Sequence, residues 1–573
     1  MAERRSKRRR FCLERVREER MNGVTSSSEY ADLILTGARV YTMDAARSWG
    51  DAVAVKNGRI LAAGSARAVA ETKGPFTRIV ELPDRLVIPG FQDAHVHALH
   101  GGLYQTRCEL HDISGRDDYI DAIKSYAAEH PDREWILGGG WSMEFFAKGT
   151  PDKSLLDAVV PERPVFLYNR DVHGAWVNSA ALERAGITKD SPEPSGGRIE
   201  RDAAGEPQGT LHEHAMDLVA RLVPETTHEE RLVGLRAAQS YLHSLGITSW
   251  QDPWILEEDL RAYLALDDAG GLTARVLLDL LWERDEGEEQ LERLKEQRER
   301  GTTGRVRATG IKIFQDGIAE NFTAAMLEPY LDDANKPTGN AGISMIEPHD
   351  LNRFVTTLDA EGFQVHFHAI GDRAVRESLD AVEAAQTSNG TRDARHHICH
   401  LQVVDRDDIA RFRRLGVVAN CQPLWACNEE QMRRLTIPFL GPERSRRQYP
   451  FASLRRAGAT LAFGSDWSVS SPNPLLEMEV AIERIPVDDR SAEPFLPEER
   501  LDLPASLAAF TIGSAFVNHH EHDTGSIEPG KLADLAILDR DVFEPGAGPL
   551  GDASVIATLV DGTVVFDDGS AGF

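Results

Sequence analysis

Apolar positions run along the chain in two textures. Short apolar runs stand at 86–92, 246–250, 274–280, 309–314, 363–368, 396–400, 416–420 and 460–465. Each has the length of a buried strand. Helical patterns separate many of them, LEEDLRAYLALDD and DRAVRESLDAVEAAQ among them. Eight strand–helix units are what a (β/α)8 barrel requires. The two ends read differently. ADLILTGARVYTM and AVAVKNGRILAAG near the N-terminus, and VIATLVDGTVVFDDG near the C-terminus, are β-rich runs broken by glycine-containing turns. The predicted fold class is therefore α/β: a TIM-like barrel over 86–521 with a small β-sandwich domain formed by 30–85 and 522–573. The stretch from His97 to Gly246 is far longer than a βα crossover needs. It holds its own strand candidates, WILGGG and VFLYNR, and glycine-rich turns at 196–209. This predicts an inserted subdomain, about 130–240, over the barrel mouth.

Composition changes this picture little. The chain has 573 residues, enough for a barrel with additions, and 41% of them are hydrophobic. Charge changes it more. Lys plus Arg number 64 against 92 Asp plus Glu, a formal net charge of -28. An anionic surface argues against nucleic acid or an acidic membrane as partner. The expected partner is a small-molecule substrate, with homodimer assembly left open. Five loosely spaced cysteines give no disulfide framework and point to a reducing, cytoplasmic setting. No run is long enough to span a bilayer. The strongly basic run at 1–29 reads as a disordered tail, with a binding or localisation role as the alternative.

Candidate chemistry sits at the C-terminal ends of the predicted strands, the face of a barrel that carries function. LVIPGFQDAHVH ends in His95 and His97. Two apart on an extended strand end, both imidazoles reach one ion. VHFHAIGD presents His366 and His368; RHHICH presents His396, His397 and His400; TLAFGSDW ends in Asp466. A lone His-x-His is weak evidence, but four strands ending in His or Asp point to a divalent metal, with zinc favoured by the imidazole and carboxylate donors. Lys312, in the apolar strand GIKIF, needs a partner if buried; carboxylated, it offers two oxygen ligands. A metal lowers the pKa of bound water and polarises a carbonyl, and Asp466 is placed to shuttle the proton as general acid–base.

These motifs, with RDVHGAWVNSAAL, IKIFQDG and the closing PGKLADLAILD, resemble the amidohydrolase superfamily over roughly 30–570. More narrowly, the chain looks like the amidohydrolase 3 branch, which holds YtcJ-like proteins and N-substituted formamide deformylase. The resemblance implies that His95, His97 and Asp466 ligate the more buried metal and that His368 and His400 ligate a second. It implies a carboxylated Lys312 as the bridge, and one or two zinc ions per chain. His366 is expected behind the ligands, and His396 and His397 are less favoured than His400. The branch commonly has Ile-Glu-His on the sixth strand; this chain has Ile398-Cys399-His400, and Cys399 is expected to face away from His400. Asp171, His173, Trp176 and Asn178 match a block of the branch. His173 is a candidate catalytic contact to the substrate or oxyanion. Asp171, Trp141, Trp425 and Trp467 are candidate pocket walls.

The expected activity is metal-dependent hydrolysis of a non-peptide carbon–nitrogen bond, a linear amide such as an N-substituted formamide. The alternative with the same apparatus is a cyclic amidine deaminase or cyclic amide hydrolase. A non-catalytic binding protein on the same fold would be marked by missing ligand positions, and here every one is filled.

Overall fold

A computed structural model describes residues 30–573. The basic run at 1–29, with Cys12, lies outside the described residues. The centre is a barrel of eight parallel strands: β1 (Phe91–Asp93), β2 (Ile247–Ile255), β3 (Arg275–Leu281), β4 (Val306–Phe314), β5 (Gln364–Ala369), β6 (His397–His400), β7 (Val418–Cys421) and β8 (Leu461–Phe463). Consecutive strands pair in parallel from β1 to β8. The seam between β1 and β8 is held by backbone hydrogen bonds. Ala94 N donates to Phe463 O at 2.9 Å, Asp466 N to His95 O at 2.7 Å, and His97 N to Trp467 O at 2.8 Å.

Buried strands read as near-continuous apolar runs because helices cover the outer face. The helix Asp372–Asn389 lays Val375, Leu379 and Val382 on its buried side, the spacing of one helical face. Local chemistry fixes the helix ends. Thr227 and Glu230 form a capping box on His228–Ser244. Asp405 caps Arg406–Leu415, which stops at Gly416 in the left-handed conformation.

Strands from both ends of the chain share one eight-stranded sheet. Leu86–Pro89 pairs antiparallel with Leu535–Leu538 and parallel with Arg39 and Val40. The expected first barrel strand at 86–92 is thus divided: its first half joins the terminal sheet and only Phe91–Asp93 enters the barrel. Both halves are fully buried, so hydrophobicity alone does not mark the division.

After β1 the chain builds a six-stranded sheet, running from Cys108–Glu109 to Pro207–Glu213. Its residues alternate between two cores. Val165, Leu167 and Trp176 pack on one face with Tyr119 and Trp141; Phe166, Ala175 and Val177 pack on the other with Leu211. Among the described residues, no helix is long and apolar enough to cross a membrane, and the four described cysteines are free and buried.

Candidate metal and active site

Asp93 organises the strand end that carries the His-x-His pair. Its buried carboxylate accepts from the backbone of His95 at 3.0 Å and from Ser465 Oγ at 2.6 Å. This ties the β1 exit to the β8 exit. The chain then turns sharply at Asp466, whose φ of +54° lies in the sparsely populated left-handed region. Strain of that kind persists where surrounding structure enforces it; here the Asp466 N to His95 O bond and the Ser465 bonds do so.

The result is a convergence of three donors. His95 Nε2 lies 3.3 Å from Asp466 Oδ1, and His97 Nε2 lies 3.1 Å from the same oxygen. All three residues are buried. Among the described residues, His95 Nε2 and Asp466 Oδ1 have no hydrogen-bond partner. Buried polar atoms are normally satisfied, so these two orphans fit a cation lodged between them. Burial, with Lys312 nearby, holds His95 well below the usual imidazole range, so it presents a neutral lone pair. These donors fit a divalent metal.

His368 and His400 stand beside this set, their rings 4.5 Å apart. Burial keeps both imidazoles neutral. His400 Nδ1 donates to Gln422 Oε1 at 3.1 Å and lies 3.8 Å from Asp466 Oδ2, and its ring stacks on Trp425. Lys312 is buried at the end of β4, with Nζ 3.5 Å from Cys399 Sγ. The expectation that Cys399 faces away from His400 is overturned. His400 has φ +75° and Leu401 φ +52°. The strand alternation breaks there, and both side chains turn inward. Burial pushes the Cys399 thiol up to about 12, so it remains a thiol.

His173 arrives from the inserted sheet and lines the same small cavity as His95, His97, Lys312, His368, His400 and Asp466. Its Nδ1 donates to Glu213 at 3.0 Å. Burial opposes the charge on His173, but the Glu213 carboxylate outweighs burial and raises it to about 9. Burial likewise opposes the charge on Glu213, and His173 with Thr323 and Asn321 lowers it to about 2. Thr323 and Asn321 belong to the loop after β4, so this pair pins the insert to the barrel. The sign of the pH dependence follows. The His173 contribution is complete below its ordinary 6.5 and is lost as pH rises through about 9. The Glu213 contribution is complete above its ordinary 4.5 and is lost as pH falls through about 2. Thermal melts should show the wild-type chain losing its advantage over Glu213→Gln between pH 6.5 and 9; parallel pH profiles would refute the pair.

The other expected site residues divide. A cavity of about 390 Å³ is lined by Asp171, Trp425 and Trp467. It shares Asp171, Ile318, Ile370, Trp425 and Val469 with the metal-facing cavity. Trp141 does not line it. It is fully buried in the core of the insert against Phe146 and Trp176, and its indole donates to Leu167 O at 2.9 Å. A strand-end tryptophan here faces the sheet's own core, which corrects the expectation of a pocket wall. Asn178 is structural: it accepts from Val165 N and Ala181 N and donates to Val160 O. His396 points out of the barrel to Asp359 at 3.1 Å.

Sequence reasoning missed four residues. Trp254 lies on β2 beyond the expected strand end, with its ring 6.1 Å from that of His97. Asp316 follows β4 and accepts from Ile370, Gly371 and Ala325 backbone N–H groups. Glu213 gave no local signal. Asp279, a lone carboxylate among leucines in β3, did give one. Burial pushes it up to about 6, and its Oδ2 lies 2.7 Å from His366 Nδ1.

Comparison with known proteins agrees with this geometry. Residues 78–566 match the model of the amidohydrolase family. The chain is 34% identical to Protein LONG AFTER FAR-RED 3 of Arabidopsis thaliana over 94% of its own length and 92% of the relative's. It is 26% identical to N-substituted formamide deformylase of Arthrobacter pascens, covering 94% of this chain and 99% of that one. Among solved structures, an uncharacterized metal-dependent hydrolase from Pyrococcus furiosus superposes with a TM-score of 0.67 at 26% identity, covering 89% of this chain and 99% of that chain. The chain belongs to the amidohydrolase family and is a hydrolytic enzyme on a (β/α)8 barrel.

Proposed function

We propose that the enzyme hydrolyses a linear, non-peptide amide such as an N-substituted formamide, using a zinc ion held by His95, His97 and Asp466. The observation that carries this reading is the three-donor convergence beside a cavity open to small molecules. A relative of matching length that bears the name N-substituted formamide deformylase supports the substrate class. A divalent ion supplies Lewis acidity and lowers the pKa of water.

The chain's own residues do the rest. Asp466 accepts a proton through its free carboxylate edge and returns it to the leaving nitrogen. His173, kept cationic by Glu213, donates Nε2–H to the oxygen that gains charge. Trp425 and Trp467 wall the larger cavity for the nitrogen substituent. A carboxylated Lys312 would join His368 and His400 in holding a second ion, whereas with the bare amine a single ion would be held. Metal content measured with and without bicarbonate separates these states.

The larger cavity also carries Glu109, Asp112, Glu144, Asp171, Glu320 and Glu429, against Arg170 as the one Lys or Arg side chain among the described residues that line it. Burial, with Glu144 nearby, pushes Glu429 up to about 7. A cationic substituent relieves that crowding. Among formamides of equal size, an amine-tailed one should show a KM about tenfold below its carboxylate-tailed counterpart, a difference of about 1.4 kcal/mol. Equal KM values would remove the charge from the account. A panel of formamides, cyclic imides and aminated heterocycles tests the reaction itself. Formate with free amine is expected; ammonia from a heterocycle would point to a deaminase instead.

A further inference from the structure

Beneath the metal-facing donors lies a polar chain that no step of the reaction uses. Asp279, His366 and His95 are each 0% exposed. Gln251 Nε2 donates to both Asp279 oxygens, at 2.9 and 3.0 Å. Asp279 Oδ2 lies 2.7 Å from His366 Nδ1, and His366 Nε2 lies 2.8 Å from His95 Nδ1. A carboxylate that already takes two amide bonds is an acceptor, so His366 Nδ1 carries the proton of that contact. The neutral His366 then has a lone pair on Nε2 and accepts from His95 Nδ1–H. That leaves the lone pair of His95 on Nε2, the atom facing Asp466.

The backbone makes room for this chain. Gly310 is the register partner of Asp279 on the neighbouring strand. A Cβ at Gly310 would stand 1.7 Å from Asp279 Oδ1. Only a glycine lets the carboxylate sit there.

We infer that Asp279 and His366 are positioning residues that fix the tautomer of His95, so that His95 offers Nε2 to the metal. The inference rests on the proposed ligand role of His95. A carboxylate behind a ligating histidine commonly fixes its ring and tautomer; here a second histidine relays that effect across one more hydrogen bond. The chain carries its own inversion test. In Asp279→Asn the shape is kept, but the Asn amide N–H donates to His366 Nδ1. His366 then donates from Nε2 to His95 Nδ1, and the proton of His95 moves to Nε2, where it blocks the metal.

Zinc titration of the metal-free full chain against a chelating indicator tests this. Asp279→Asn should bind zinc about 10–100-fold more weakly, with the melting temperature of the metal-free protein unchanged. In a His95→Ala background the same substitution should change zinc affinity no further. Wild-type affinity in Asp279→Asn, or an undiminished effect in the His95→Ala background, overturns the inference. If His95→Ala itself binds zinc like the wild type, the metal-site reading falls and the inference falls with it. Failure of the inference alone looks different: His95→Ala loses zinc and Asp279→Asn does not. The ¹⁵N spectrum of histidine-labelled wild-type protein, free of metal, gives a reading that needs no variant. A protonated Nδ1 on His95 is expected, and a protonated Nε2 overturns the relay.

Discussion

Asp466→Asn is expected to lower kcat for a formamide by about 10²–10⁴-fold, the range removed with a positioned general acid–base. The amide is nearly isosteric, so the left-handed turn at Asp466 and its N–H bond to His95 O survive. What is lost is chemical. An amide does not take a proton from water at neutral pH, and it cannot return one to a leaving nitrogen. Oδ1 also stands within 3.3 Å of His95 Nε2 and 3.1 Å of His97 Nε2, so metal affinity should fall as well. Measuring kcat at saturating metal isolates the proton transfer. A variant that keeps wild-type kcat there would remove Asp466 from the proposed role.

Gly464→Ala should damage both the fold and the site. A Cβ at Gly464 would lie 2.4 Å from His95 N, 2.6 Å from His95 Cβ and 2.9 Å from His95 Cα. These are mostly backbone atoms of the β1 exit, and that exit is already held by Asp93, Ser465 and the Asp466 N–H. Relief requires β1 and β8 to part at the seam. Overpacking of this kind costs about 1–3 kcal/mol and sometimes more. The expected result is a melting temperature lowered by a few degrees together with weaker zinc binding. The coupling of the two losses is the informative part. A variant that melts early yet binds zinc normally would mean that the seam does not position His95.

The barrel strands were legible because both faces of each are buried, which leaves compact apolar runs such as VLLDLL and VHFHA. His95, His97, His368, His400 and Asp466 were legible because strand ends place chemistry at one mouth. Other features depend on contacts remote in sequence. Leu86–Pro89 leaves the barrel because its partner is Leu535–Leu538, more than four hundred residues away, as the residue numbers themselves show. Glu213 finds His173 through the antiparallel pairing of their strands in the insert. A strand tryptophan such as Trp141 reads alike in sequence whether it faces a cavity or a core. The inward turn of Cys399 beside His400 escapes strict strand alternation because His400 turns left-handed. Asp279 stood in plain view as a charge inside a leucine run, and a buried carboxylate there demanded a partner.

The central claim is that hydrolysis runs on a divalent ion held by His95, His97 and Asp466. The most direct test is elemental analysis of the purified full chain and of His95→Ala, each followed by formate release from an N-substituted formamide before and after chelation and zinc repletion. The account predicts at least one tightly bound divalent ion per chain in the wild type, formate release that stops on chelation and returns with zinc, and, in His95→Ala, zinc bound too weakly to survive purification and no formate release. Full activity from metal-free protein, or from His95→Ala, would contradict it.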